Sequence, residues 1–561
     1  MELDHYFTNE QLESTLKNWV EEFPALANLS AIGKSYEGRS IWLLTLTNQQ
    51  SGSDKDKPAI WIDANIHATE ITGTTVALNI AHTLLSQYKS GSEGPESERI
   101  TRILDSSTVY IAPRLNPDGA AQAMAENPNY VRSGVRAYPF EEKLPGLHPE
   151  DIDRDGRILQ MRIPDPNGDW KISSLDPRLM EKRAPEEFGG QYYRMLPEGL
   201  IEDYDGYLIK VAPPFQGLDF NRNFPFDWRP EGDQAGAGPY PGSEPEIKAV
   251  IDFFVGHPNI NIALTYHTFA GLILRPYSTK PDDEMETTDL WIYKKMGELG
   301  KEITGYKALS TFHDFKYHPK EVTTGAFDDW LFDYYGVFSF TIELWDLPTR
   351  AGIEDRKPIE WFREHPHEED QKILNWIDEN AGENSFVDWY PYEHQQLGKV
   401  ELGGWNTMYT WRNPPPEFLG QEARRNLNFP LSLAGMLPHL AIQSLDVTPL
   451  GDERYHLNLV VENTGYLPVY TSEQGKKRKA IRPVRAELEL PENAELLSGE
   501  RRSELGYLEG RSNKFSLTFG ASPTDNRARC EWVVKSPPGS ALKIKILSER
   551  AGNIYKEVRL G

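Results

Sequence analysis

His67 and Glu70 stand three residues apart in PAIWIDANIHATEITGTT, residues 58–75. A neutral imidazole and a carboxylate are ligands of the right hardness for zinc, and a turn after a strand can aim both at one point. Two ligands do not make a site, and the pair has a plainer reading as a helix start, with Thr69 or Glu70 complementing the N-terminal dipole. A third ligand must come from another strand end. His267 fits, closing the apolar run NINIALTYH (259–267) just before TFAG. His313 and His318, in a loop-like segment, are its rivals; His82 lies within a helical pattern, and His365 and His367 lie in the polar stretch EHPHEED. Three protein ligands leave a zinc position open for water, and a nearby carboxylate can take that water's proton. Glu343, in SFTIELWD, ends an apolar strand where a carboxylate is otherwise out of place; its alternative is a solvated strand terminus.

Positioning such a set requires strands that end together. The periodicity predicts a helix over 9–23, strands over 39–47 and 58–64, a helix over 71–88 and a strand over 107–115. A helix over 244–257, a strand over 259–267, a helix over 291–305 and a strand over 336–344 follow. Helices alternating with apolar β-branched strands imply an α/β layer fold with a mixed, mostly parallel sheet. Open sheets of this kind build sites outside the carboxyl ends of their strands, where His67, His267 and Glu343 all fall.

The pattern breaks between about 133 and 216, a Pro-, Gly- and Asp-rich stretch expected to be an insertion on the α/β body. From about 436 short strand-like segments recur between turn residues: RYHLNLVVENTG, VRAELELPENAELLSG, KFSLTFGAS, ARCEWVVKSPPG and ALKIKILSE. That spacing predicts an all-β sandwich over 436–561, after a catalytic region over 1–435. The proline run RNPPPEFLG (412–420) marks the neighbourhood of the boundary.

The 561 residues exceed one ordinary core. The composition, 39% hydrophobic and 26% charged, is that of a globular protein, with no apolar run near the ~20 residues that span a bilayer. A formal net charge of −25 disfavours nucleic acid and anionic membranes as partners and suits a basic substrate. One cysteine, Cys530, excludes an intrachain disulfide and leaves the redox compartment open. The polar start MELDHYFTNEQLES lacks the apolar core of a signal peptide, so the expectation is a cytoplasmic chain or a mature form whose leader has been removed.

Seven pieces of the chain, in order, resemble the zinc metallocarboxypeptidases of the carboxypeptidase A/B type: SYEGRSIWLLTL (35–46), HATE (67–70), NPDG (116–119), DFNRNFP (219–225), YPGSEPE (240–246), YHTFAGLILRPY (266–277) and GAFDDWLFDYYGVFSFTIEL (325–344). The resemblance spans most of residues 9–350. It implies that His67, Glu70 and His267 hold zinc and that Glu343 is the general base and acid. It likewise implies that Asn221 and Arg222 hold the substrate's terminal carboxylate, a task a guanidinium performs bidentately. Arg132 falls about where the family places the arginine that stabilises the oxyanion, with Arg136 its close rival. Asp328 falls on the position lining the pocket for the C-terminal side chain. An aspartate there favours substrates ending in Lys or Arg; alternatively it caps the helix start DDWLFDYY. Where the family has a mobile substrate-contacting tyrosine this chain has Glu321 and Val322, with Tyr317 nearby but out of register. The segment preceding the body contains no inhibitory pro-domain, and latency by that route is not expected.

Within the insertion, DIDRDGRILQ (151–160) repeats the first half of a calcium loop, with Asp151, Asp153 and Asp155 before Gly156. Position 12 is Arg162 in place of the bidentate glutamate, and Asp165, Asn167 and Asp169 could complete a different cage. Calcium binding and a solvated acidic turn are both open on the sequence. The functional expectation is a zinc exopeptidase acting on peptide or protein C-termini. The alternatives are a zinc amidohydrolase on another amide, such as a cell-wall peptide or N-acyl amino acid, and a binding module that kept the fold without catalysis.

Overall fold

The computed structural model describes residues 3–89, 94–318, 320–512 and 521–561. Its centre is an eight-stranded sheet in the spatial order Ala27–Lys34, Ser40–Leu46, Thr108–Ala112, Ala59–Ala64, Ile260–Thr268, Phe338–Leu344, Leu272–Arg275, Lys307–Ser310. The inner four strands run parallel, and antiparallel pairings lie toward the edges. Every residue of those inner strands is buried, which explains why they read as unbroken apolar runs without alternation.

The helices that cover the sheet follow from the expected patterns. Asn9–Glu22 opens on a capping box between Thr8 and Gln11. Thr72–Gln87 lies so close to the sheet that a Cβ on Gly73 would meet the Ala64 and Tyr266 Cβ atoms at 2.9 and 3.0 Å. The parallel register sets His267 beside Glu343 and Tyr266 beside Ala64, so the three functional strands end at one level.

The insertion is not patternless. Its short strands Gln160–Pro164, Tyr193–Pro197, Trp170–Ile172 and Met180–Lys182 form a six-stranded sheet with Phe386–His394 and Gly398–Trp405. Strands of three to five residues are too short to show a period, and their partners lie far along the chain. The proline-rich stretch near 412–420 belongs to the body: it starts the helix Pro416–Arg425, whose buried Glu422 accepts from Trp345 N at 3.1 Å.

Beyond it, two four-stranded antiparallel sheets enclose a second core that includes Leu457, Leu459, Trp532 and Ile544. Four of the five predicted β segments match its strands, and KFSLTFGAS falls almost wholly outside the described residues. This sandwich docks on loops at the amino ends of the central strands. Asn553 N donates to Asp56 O at 2.8 Å, Asn261 Nδ2 donates to Arg550 O at 2.9 Å, and Ser472 Oγ donates to Gly336 O at 2.7 Å. Among the described residues, no helix is long and apolar enough to cross a membrane.

Candidate active site

The loop carrying His67 and Glu70 is tied down by groups whose spacing had only marked them as motifs. Asn65, at φ +56°, turns the chain out of its strand, and its Nδ2 donates to His67 O at 2.7 Å. Asn116 of NPDG donates to Ile66 O and to Ser133 O, joining this loop to the segment that carries Arg132. Gly119 lets the following helix close on Ala68, where a Cβ would stand 2.6 Å from the Ala68 Cβ. Asp118 accepts from Ser35 Oγ, Glu37 N and Arg39, so NPDG and SYEGRS form one structural knot.

His67, Glu70 and His267 converge, with one donor atom from each within 4.8 Å of the others. His67 Nδ1 lies 2.9 Å from Glu70 Oε1, and His267 Nδ1 lies 3.1 Å from Glu70 Oε2. The outer nitrogens decide the tautomers. His67 Nε2 faces Asp219 Oδ1 at 3.1 Å, which assigns its proton there and leaves Nδ1 as the lone pair. Thr265 Oγ1 donates to Asp63 Oδ1 at 2.7 Å and therefore accepts from His267 Nε2 at 3.3 Å, with the same result. Two imidazole lone pairs and one carboxylate, each held from behind, are a donor set that fits zinc. Burial opposes charge on Glu70, but His67 and His267 outweigh it and hold the carboxyl well below the usual range. Asp219 behaves alike, with Arg222, Arg132 and His67 outweighing burial. Asp63, deeper, is pushed up to about 6 by burial, against hydrogen bonds from Thr265 and Trp61.

Glu343 is buried beside His267 at the end of its strand. Burial pushes its carboxyl up to about 7; His267 and Arg132 act against the shift, and Glu70 adds to it. Arg132 Nε donates to Asp219 Oδ2 and its Nη1 to Glu70 Oε1, both at 3.0 Å. Arg136 has a different place: it makes a bidentate pair with Glu244, at 2.7 and 3.0 Å, and lies over Tyr138.

Asn221 Oδ1 accepts from Phe327 N at 2.8 Å, which leaves the amide's NH₂ as the free donor among the described residues. Arg222 Nη1 donates to Asn221 O at 2.7 Å, and the chain fits over it only because Gly325 has no Cβ, which would stand 2.2 Å from Arg222 O. Asp328 is buried, accepts from Asp329 N at 3.0 Å and from Thr341 Oγ1 at 3.2 Å, and has no cationic partner among the described residues. Burial raises its pKa. It is not the helix N-cap, which is Ala326. Tyr317, 57% exposed, brings its phenol within electrostatic range of Arg132, Glu343 and Arg222.

The rival histidines go elsewhere. His313 accepts from Asp282 N, His318 is exposed beside Glu321, His82 rests against Trp19, and His365 and His367 both contact Asp370. Calcium is not supported in the insertion. Asp155 turns to Arg157, while Asp151 takes three backbone N–H groups of its own turn. The oxygens that do approach one another come from Asp151, Asp153 and Glu198. Glu198 is spent on Ile152 N and Leu159 N, and Asp153 accepts from Tyr390. Asp165 pairs with Arg194 and caps Asn167 N, so the alternative cage does not assemble there.

Four contributors escaped the sequence reading: Asp219, the Thr265–Asp63 pair, and Arg412. Asp219 lay inside a quoted motif without a role, and Thr265 sits two residues before a ligand on the same strand face, a signal that could have found it. Arg412 had none. It ends the turn Thr407–Arg412, and its Nη1 donates to Thr69 Oγ1 at 2.8 Å, while the next residue, Asn413, donates to Thr69 O at 2.7 Å.

Known proteins are similar to this chain over roughly two thirds of its length. The chain is 24% identical over 386 residues to carboxypeptidase A2 of Rattus norvegicus, covering 64% of this chain and 71% of that one. Carboxypeptidase A1 of Sus scrofa is 24% identical over 347 residues, covering 61% and 62%. Among solved structures, thrombin activatable fibrinolysis inhibitor aligns at TM-score 0.39 and 21% identity over 68% of this chain and 76% of that one. Carboxypeptidase A from Helicoverpa armigera aligns at 0.38 and 17%, over 67% and 73%. Residues 439–559 match a domain family of unknown function, DUF8731. Residues 12–362 match the zinc carboxypeptidase family, peptidase M14, and with more than half its length so matched the chain belongs to that family.

Proposed function

We propose that this protein removes the C-terminal residue from peptides or proteins, with preference for a terminal Lys or Arg. The observation that carries the reading is the convergence of His67, Glu70 and His267 beside Glu343, with Asn221 and Arg222 following Asp219, which holds His67, and Asp328 bonded to Thr341 on the Glu343 strand. A zinc ion held by the first three residues would supply Lewis acidity toward water and the scissile carbonyl. Glu343, buried beside His267 with its carboxyl pushed up to about 7, takes a proton from the attacking water and returns it to the leaving amine. Arg132 donates to the oxyanion, and the Asn221 amide and Arg222 guanidinium hold the free carboxylate that defines an exopeptidase. Asp328, a buried carboxyl without a counter-ion, supports the basic preference, because an ammonium or guanidinium from the substrate would compensate it. Tyr317 stands near the same groups and takes the part left open at 321.

A set of short free-acid peptides differing in the last residue tests the reading, with and without a chelator. Peptides ending in Lys or Arg are expected to be cleaved fastest, C-terminally amidated ones not at all, and chelator should abolish turnover. Glu343→Gln is expected to retain zinc by metal analysis and to lose roughly 10²–10⁴-fold in kcat. Cleavage of amidated peptides at an equal rate, or full activity of Glu343→Gln, overturns it.

A further inference from the structure

A cavity of about 1030 Å³ opens beside the zinc-ligand group, on the side of Thr69, Arg132 and Asp219. Its outer walls come from the insertion and from the turn Thr407–Arg412. Neither Asn221, Arg222, Asp328 nor Glu343 lines it, so it is a space separate from the residues assigned to the terminal carboxylate and side chain. Through Asp219, which also holds His67, it borders the ligand group and offers room for the part of a peptide that precedes the scissile bond.

The charges in its wall are not balanced. Arg132 is matched by Asp219 and Glu70. Arg412 has no carboxylate in contact: it is half-buried, spends one N–H on the neutral Thr69 hydroxyl, forms no ion pair among the described residues, and feels Glu70 and Glu343 only at longer range. Lys143 at the rim is also without an ion-pair partner among them. In a chain with 85 acidic against 60 basic residues, a half-buried guanidinium with no carboxylate in hydrogen-bond contact is out of keeping with the composition. Removing a cation from water without a partner is costly, and an incoming anion offsets the cost. Arg412 also lies outside the family-matched stretch 12–362, so this charge is a feature of this chain's own C-terminal segment.

We infer that the cavity is a subsite for residues on the N-terminal side of the scissile bond, and that Arg412 selects an acidic side chain there. This rests on the carboxypeptidase reading and deepens it. The preferred substrate combines an acidic residue upstream with a basic residue at its end.

The test is calorimetric titration of zinc-loaded Glu343→Gln protein, which should bind without turnover. The probes are N-acetylated tetrapeptides ending in Lys, with Glu or Gln at the two positions before it. The Glu peptides are expected to bind roughly tenfold tighter than the Gln peptides. Adding Arg412→Gln is expected to reduce that ratio to about one, and adding Arg412→Lys to keep part of it. Zinc content and melting temperature report the fold of each variant. Equal affinity for Glu and Gln peptides, or a preference that persists in Arg412→Gln, overturns the inference. Turnover of the Gln peptides by the unsubstituted enzyme separates the two readings: cleavage without discrimination leaves the carboxypeptidase standing and removes the subsite. No binding of any peptide removes both.

Discussion

At the scale of single residues the site is an inner ring of ligands fixed by an outer ring of acceptors. The inner ring was legible because His and Glu at strand ends carry chemistry that their types announce. The outer ring was not, because Asp219 meets His67 across 152 positions and no local pattern reports such a pairing. Asp219 orients His67 by taking its Nε2 proton, and it also receives Arg132 and the Asn221 N–H. Asp219→Asn keeps the shape and offers an amide in place of a full acceptor. It is expected to weaken zinc about 10–100-fold in competition with a chromophoric chelator. Unchanged zinc affinity would show that His67 needs no carboxylate behind it.

At the scale of elements, the parallel strands were read correctly because they are long and apolar throughout, and their register alone brings His267 beside Glu343. Short strands such as Leu272–Arg275 and, at the edge, Lys307–Ser310 gave too little sequence to register. The seven motif pieces are explained by how they meet: NPDG locks SYEGRS, and Asn223 binds the YPGSEPE loop through its Nδ2 and Oδ1. Gly325 is the tightest of these junctions. It has φ +67°, and any Cβ there collides with Arg222 O. Gly325→Ala is therefore expected to cost about 1–3 kcal/mol of stability by denaturant melt. It should raise KM for free-acid peptides more than it lowers kcat, because it displaces Arg222, the residue proposed to hold the terminal carboxylate.

At the scale of the whole molecule, the β-sandwich holds the end of the sheet remote from the zinc ligands. Asp289 is central to that junction, accepting from Glu473 N and Gln474 N at 2.9 Å each. Burial, reinforced by Glu473 and Glu286, pushes its carboxyl up to about 7. An unfolded chain releases that proton near the ordinary aspartate pKa, so between about pH 4 and 7 the folded state binds more protons than the unfolded. This contribution to stability is complete below pH 4 and declines as pH rises to 7. Asp289→Asn, which cannot titrate, is expected to gain in melting temperature relative to the parent across that interval and to hold a constant difference above it. A difference that does not change with pH would place the burial cost elsewhere.

The sheet that walls the cavity joins Arg162 to Glu401, which are 239 residues apart. On a ribosome adding ~5–20 residues each second, that partner arrives on the order of 10–50 s after the insertion has emerged. His67 and Glu70 precede the insertion, and His267 and Glu343 are synthesised in the interval before Glu401. A growing chain can thus assemble the hydrolytic centre while the wall that limits what enters it, and Arg412 with it, is still missing. The proposed subsite is then the last part of the site to be built.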